Sequence, residues 1–550
     1  MSVDLAAWLA AGLAFGGKDV TVPSGMRPRS PKPGSRKALT LVALAFAVGS
    51  IVWSIGSIRQ WMVEMKENRP SEARSRRGRE PEPREELAPT PTNALAALAS
   101  RRSTAAITNG ASLFDTTNIW TVHLRFTPAE WADIEPRQIE PLEQSGGGRF
   151  ELRNPGAKRN GLAGVRGIEF EWVHATVEFE DRTFADAAVR YKGNGTYLRS
   201  QRMAKRPFKV DLNKFTKTNS LAGRTTLNFA NMVTDDSCLH DVLGYELYRA
   251  AGVPSPRTAY ARLFVTIGAT PPTYLGLYAV VENVDESFAA ERFGTRQGVL
   301  FKPVTMDLFA DLGDNWAAYD GIYDPKGKLT AAQSERVIEF AKLLGHANNA
   351  TFAARVGEFL ELDEFARFLA TTVLLSSYDG FLNNGQNFYL WLSPDTHKFQ
   401  FIPWDLDNAW GKFGAAGSVS DRAHASIMHP WMSSHRLLER VMAVPEFKSL
   451  YQRTLQDLLT RIFVPERLNL RVDELARLLR PVVVEESPRK SSRFAQAVDA
   501  TSLGDSANEG PGFGRNRAPH PLKWFISERA ESVRAQLAGE NSGVRLERWR

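Results

Sequence analysis

Between Ala38 and Ile58 the chain runs for 21 residues, ALTLVALAFAVGSIVWSIGSI, without one charged side chain. As an α-helix rising about 1.5 Å per residue, that run spans roughly 30 Å, the thickness of a bilayer's hydrocarbon core. Arg36 and Lys37 close it on one side and Arg59 on the other, with Trp53 and Trp61 near the second boundary. The run is long for a signal-peptide core and carries no evident small-residue cleavage site, so it predicts one transmembrane helix at 38–58. Arg27, Arg29, Lys32, Arg36 and Lys37 crowd its N-terminal side, against Arg59, Lys66 and Arg69 after it. The positive-inside bias therefore keeps the basic tail, 1–37, in the cytoplasm and sends the large remainder across the membrane. Arg74, Arg76, Arg77 and Arg79, further out, pull the other way.

Residues 59–112 are rich in Glu, Arg, Pro, Ala and Thr and poor in aromatics. Such a segment cannot bury enough apolar surface to offset its ordering entropy, and it reads as a disordered linker. From Leu113 onward the composition turns globular. The net charge of +7 resides largely in the first hundred residues. A basic tail beside an apolar run points to topology or a membrane surface, so no nucleic-acid partner is expected. The single cysteine, Cys238, excludes an internal disulfide and a cysteine-rich zinc site. It falls within a helical pattern, where a small apolar role suits it better than nucleophilic chemistry.

Period-two alternation predicts strands at Trp120–Phe126, Ala175–Phe179, Ala188–Tyr191, Phe208–Leu212, Thr225–Phe229, Ala261–Ile267 and Tyr274–Glu282. One helix, about Leu239 to Ala250, interrupts them; Gly252 and Pro254 close it. Beyond about residue 330 helical patterns dominate, apart from two strands within 388–404. The order is a sheet-rich part followed by a helical part, an α+β chain.

The segment SSYDGFLNNGQNFYLWLSPDTHKFQFIPWDLDNAWG, 376–411, concentrates the polar chemistry. Asp379 lies in a loop after an apolar helical stretch. Asn387 abuts the strand Phe388–Leu392, and a second strand, Phe399–Pro403, delivers Asp405 and Asp407. An amide and two acids at the ends of a hairpin can offer hard oxygen ligands to a divalent cation, and an acid on the preceding loop can orient a hydroxyl. The same order of parts occurs in the catalytic region of protein kinases, with different spacings. His424, His429 and His435 lack helical i, i+4 spacing and an acid in a usable motif, so they predict no metal site. No nucleophile elbow or Walker-type loop is present.

FQFIPWDLDNAWG resembles the Pro-Trp-Asp-x-Asp signature of the CotH kinase family, and NFYLWL resembles its Asn-aromatic strand. VRYKGNGTYLRS is similar to its R-x-K-G-N-S-S loop, followed by the basic strand KRPFKVDLNKF. LNFANMVTDDSCLHDVLGYELYRAAGVPSP, GLYAVVENVDESFAAERFG, GVLFKP and LKWFISERAESVRAQL match further family blocks in the same order. The resemblance covers about 115–540. Where the family loop carries two serines after Gly-Asn, this chain has Gly195 and Thr196, which keep one hydroxyl.

That resemblance implies a bilobal protein-kinase-like domain at 113–540, with an N-lobe of about 113–305 and a C-lobe of about 306–540. It implies metal-dependent transfer of the ATP γ-phosphate, with Mg²⁺ or Mn²⁺, to Ser/Thr hydroxyls of an unidentified protein substrate. Asp379 then becomes the catalytic-loop acid, and Asn387, Asp405 and Asp407 the metal ligands. Lys192, Gly193, Asn194, Lys209 and Glu282 become the nucleotide-binding residues. The strand lysine could find its ion-pair partner in Glu246 on the 239–250 helix. The competing expectation is a catalytically weak or inactive surface or adhesion protein that uses a kinase-like scaffold for binding.

Overall fold

Alternating burial builds the first half of the molecule. In strand β4, Val173–Phe179, the side chains of Val173, Ala175, Val177 and Phe179 are buried while those between them are more exposed. That period of two is what a strand with one face on a core requires. The computed structural model describes residues 102–143, 152–432, 434–504 and 517–547. The charge-free run 38–58, the tail 1–37 and most of the linker 59–112 lie outside the described residues. Among those described, no helix is long and apolar enough to cross a membrane.

The strands in chain order are β1 Ile119–Phe126, β2 Arg137–Gln138, β3 Ile168–Glu169, β4, β5 Arg182–Tyr191, β6 Phe208–Asp211, β7 Thr226–Ala230, β8 Thr258–Ile267 and β9 Thr273–Glu282. Seven of them close into a barrel in the order β1-β4-β5-β6-β7-β9-β8. The neighbours are antiparallel except at the seam, where β1 runs parallel to β8 with Ile119 opposite Tyr260 and Phe126 opposite Ile267. Closure removes the exposed sheet edges. Trp120, Val122, Val177, Val210, Phe229, Leu263 and Tyr278 fill the interior. All seven strands expected from the alternation are present; β4, β5 and β8 start two or more residues earlier than expected, and the other four agree to within one residue at each end. The short pair β2–β3 has too few residues to show a period.

Strand β10, Val299–Phe301, opens the second half and pairs with β11, Phe388–Leu392, which pairs with β12, Phe399–Pro403. The expected two-stranded interruption is thus three-stranded, because three residues of VLF join from 87 positions upstream, counting from Phe301 to Phe388. Helix α1, Gly195–Ser200, follows the β5 strand, and α2, His240–Ala250, follows β7. The helical part contains α3 Ala331–His346, α4 Leu362–Leu374, α5 Pro445–Arg461, α6 Pro465–Glu486, α7 Pro488–Asp499 and α8 Leu522–Leu537. Helix α4 packs on α5 and β12, while α6 packs on α7, α8 and strand β9 of the barrel. One apolar core runs through these helices, the three-stranded sheet and α2, with the rings of Phe365, Phe368, Phe381 and Phe401 meeting tilted or edge-on within it. The architecture is mixed α+β.

Candidate active site

The β11–β12 hairpin fixes the centre of the site. Phe388 opposes Pro403 in the ladder, and Trp404 N–H donates to the Asn387 carbonyl at 3.1 Å, so Asn387 and Asp405 emerge from adjacent strand ends. Both adopt the left-handed backbone region, Asn387 at φ +60° and Asp405 at φ +57°. A non-glycine residue there costs of order 1 kcal/mol or more, and such residues gather where a side chain must be aimed. Asp405 is held in that conformation by Tyr245 on α2, whose hydroxyl accepts the Asp405 N–H at 2.9 Å. Leu406 N–H bonds Asp241 Oδ1 at 2.9 Å.

Asp379 faces this hairpin from the loop after α4. Its Oδ1 accepts Asn384 Nδ2–H at 2.7 Å and its Oδ2 accepts Asn408 Nδ2–H at 2.9 Å. Its carbonyl accepts Asn387 Nδ2–H at 2.5 Å, which leaves the Asn387 amide oxygen turned to other partners. Asp407 is buried. Its Oδ2 accepts Thr234 Oγ1–H at 2.5 Å and Thr196 Oγ1–H at 3.4 Å, and its Oδ1 accepts from Asn408 at 2.9 Å. By contrast, no described residue hydrogen-bonds the Asp405 carboxylate, which is only half-buried.

The acids share one electrostatic problem. Burial, then the Asp405 charge, push Asp379 up to about 6 and Asp241 up to about 7. Burial and Asp405 drive Asp407 up well above the carboxylate range. Lys192 is pushed down by lost hydration, against which Asp405, Asp241 and Asp407 pull it back. Three acids thus lean towards holding a proton, through burial first and the Asp405 charge second, a pattern that gathers at functional sites.

Asp379, Asn387, Asp405, Asp407 and Asn194 line a single cleft of about 500 Å³, with Thr196, Arg199, Asn384 and Asn408. The sequence-predicted acids and the hairpin amide therefore meet. Gly193, at φ +90°, makes the bend that a side chain would oppose. Asn194 is clamped from behind, its Oδ1 accepting Arg159 Nη2–H at 3.3 Å and Ala163 N–H at 3.1 Å. The Gly193-Asn194-Gly195 stretch is thus a braced entry to α1. Lys209 lies apart from the acids, donating to Asn283 Oδ1 at 3.2 Å, and burial followed by repulsion from Arg190 and Lys192 lowers it to about 7.

Glu282 does not line the cleft. It is fully buried among Arg224 at 3.1 Å, Arg257 at 2.7 Å and Arg292 at 2.9 Å. Burial alone would raise its pKa, but the Arg257 hydrogen bond and the Arg292 and Arg257 charges hold it below the ordinary value. Glu246 is likewise spoken for: it pairs with Arg471 at 2.9 Å rather than with a strand lysine. The acid that α2 turns to the site is Asp241, five residues earlier, because the Glu246 face of the helix looks towards α6.

Sequence reasoning missed Asp241, Thr234, Tyr245, Asn384 and Asn408. Asn408 stood in plain view inside the WDLDN run and Asn384 in the loop just after Asp379; Asp241, Thr234 and Tyr245 reach the site through long-range packing.

Among the described residues, no group of three or more His, Cys, Asp or Glu is arranged as a ready metal site. The available donors are instead two carboxylates, Asp405 and Asp407, with the Asn387 amide oxygen. All are hard oxygen donors of the kind that Mg²⁺ or Mn²⁺ takes. The Asp405 carboxylate, without a hydrogen-bond partner among the described residues, lines the cleft with the Asn387 amide and Asp407, so the chemistry of this donor set fits a divalent ion.

Fold and cleft together define a mixed α+β protein in which a barrel abuts a helical part at an acid- and amide-lined cleft. Residues 189–530 match the family model described as CotH kinase protein, and the chain belongs to that family. It is also similar to the inner spore coat protein H of Bacillus subtilis (strain 168), with 24% identity over 291 residues, 52% of this chain and 76% of that protein.

Proposed function

We propose that this chain is a phosphotransferase that moves the ATP γ-phosphoryl group to a Ser or Thr hydroxyl of a protein. In this reading the barrel and the helical part act as the two lobes of a protein-kinase-like domain. The observation that carries it is the pair Asn387 and Asp405, both strained into the left-handed region on neighbouring strand ends, with Asp379 facing them. A binding module has no use for that expense; a site that must aim oxygen ligands at phosphate does.

Asp379 takes the part of the acid that accepts the hydrogen bond, and then the proton, of the attacking hydroxyl. Asn384 and Asn408 each occupy one of its oxygens and fix its plane, so its position is set before a substrate arrives. Asp405, with the Asn387 amide oxygen and Asp407, would hold Mg²⁺ or Mn²⁺. An ion there would neutralise phosphate charge and relieve the repulsion that Asp405 now imposes on its neighbours. Asp407 is bound by Thr234 and Asn408, so it orients as much as it ligates. The family description and the hairpin motif support this reading.

The test is incubation of the full chain with γ-labelled ATP, Mg²⁺ or Mn²⁺ and acceptor proteins rich in Ser and Thr. Label transfer is expected, falling at least about a hundredfold in Asp405→Asn, the scale seen when a charge-stabilising group is removed from an active site. Neither nucleotide binding nor transfer by the intact chain would sink the proposal, and transfer that survives Asp405→Asn would sink the metal assignment.

A further inference from the structure

Lys302 follows strand β10 at the point where Phe301 pairs with Leu390, which sets it beside Tyr389 and the end of the hairpin. Its ammonium lies 5.0 Å from the Tyr389 ring centre and 5.2 Å from that of Trp404. The Lys192 ammonium lies 5.7 Å from the same Trp404 ring. Two positive charges thus share one indole, one residue before Asp405.

Neighbouring lysines all have partners. Lys205 pairs with Glu486 at 2.7 Å, Lys326 with Asp324 at 2.5 Å, and Lys209 donates to Asn283. Among the described residues, neither Lys302 nor Lys192 makes a side-chain hydrogen bond or an ion pair. An indole face recovers part of the hydration a lysine loses, about 0.5–2 kcal/mol, but it supplies no hydrogen-bond acceptor for the three N–H groups. Burial, then the Lys326 charge, push Lys302 well below the ordinary lysine range, and Lys192 and Lys209 add to the repulsion. Asp405 is the carboxylate that counters both ammonium groups. If it is engaged elsewhere, Lys302 loses that anion, while Lys192 keeps Asp241 and Asp407.

We infer that Lys302, seated with Lys192 on the Trp404 ring, is a phosphate-binding residue, and that the two ammonium groups grip a polyphosphate chain. The indole and the phenol ring hold the lysine stems in place, so less side-chain entropy is lost when the oxygens arrive. Lysine suits this role as a compact charge with several donors. The identity of the natural anion, a nucleoside triphosphate, rests on the phosphotransfer reading above; the site itself does not.

The experiment is calorimetric titration of the full chain with sodium tripolyphosphate in EDTA, which separates the lysines from any metal. Wild type is expected to bind at one site, and Lys302→Met to bind at least tenfold more weakly. Lys302→Arg, which keeps the charge and the rings' company, should recover part of the loss, and Lys448→Met on an exposed helix face should match wild type. A Lys302→Met protein that melts at the wild-type temperature and binds tripolyphosphate with wild-type affinity overturns the inference, as does a wild type that binds none. If Lys302→Met lowers Tm, the Lys302→Arg titration decides instead: affinity no better than that of Lys302→Met counts against a phosphate contact. Polyphosphate binding that depends on Lys302 in a chain that transfers no label from ATP upholds the site and fails the kinase reading alone. Transfer that is indifferent to Lys302 does the reverse.

Discussion

Glu364 is buried on α4 with 5% of its surface exposed; its Oε2 accepts the Phe401 N–H at 3.1 Å and its Oε1 has no partner. Burial pushes its carboxyl up to about 8. The folded protein therefore keeps a proton that the unfolded chain releases near its ordinary value of 4.5. Stability linked to this group is fully present below that value and drains away as the pH rises towards 8. Glu364→Gln keeps the shape and the acceptor for Phe401 but removes the titration. The variant should be close to wild type near pH 5 and exceed it at pH 8 by roughly 3–4 kcal/mol, read from denaturant melts at the two pH values. A constant gap at both would show that Glu364 does not hold its proton. At this scale the sequence was readable in where it set Asp405, in PWDLDN, and Asn387, before its strand, for both line the cleft. It was silent on Asp241 and Lys302, which distant segments bring beside the hairpin, and on Asn384, a loop neighbour of Asp379. It misled at Glu282, where the strand end suggested a ligand and three distant arginines had taken the carboxylate.

Helix α6 spans 22 residues and ends by locking the barrel. The Glu486 carboxylate accepts Lys205 Nζ–H at 2.7 Å and the Leu277 N–H at 2.6 Å. Beside it Gly276 has φ +117°, and a β-carbon there would stand 2.7 Å from the Glu486 carboxyl carbon. The register of β8 with β9 shifts at this place, a bulge that only glycine can make with the helix so close. Removing the carboxylate strands an almost buried ammonium and an unmet backbone N–H. Glu486→Ala should therefore cost about 2–4 kcal/mol, and Gly276→Ala should destabilise by a similar amount through strain and clash. Guanidinium melts of both variants, with a cost below about 0.5 kcal/mol for either, would show that this contact is incidental. Elements themselves were legible: seven barrel strands and α2 follow from period and end signals. How they close was not, since the β1–β8 seam joins segments about 140 residues apart and leaves no local trace.

For the whole molecule, the orientation of the folded domain turns on the charges that flank the run at 38–58. Cys238 is buried with no disulfide partner, and burial raises its thiol to about 11. Stability therefore rests on packing, which serves equally on either side of a membrane; the domain itself does not report its compartment. The flanking charges bear on it. Five Lys or Arg residues lie within the twelve positions before Ala38, Met26 to Lys37, against three, Arg59, Lys66 and Arg69, in the twelve after Ile58. Near a membrane span such an excess favours the cytoplasmic side. We propose on this ground that the run crosses the bilayer once, with the barrel and helices outside the cytoplasm, where the phosphoryl donor and the acceptor protein must then be available. Alkaline phosphatase fused after Arg550 should be active and β-galactosidase at the same point inactive. Replacing Arg27, Arg29, Lys32, Arg36 and Lys37 by Gln should reverse the bias and shift activity from the first reporter towards the second. Activity of β-galactosidase in the unaltered fusion would place the folded domain in the cytoplasm, and reporters unmoved by the charge change would mean that those residues do not set the orientation.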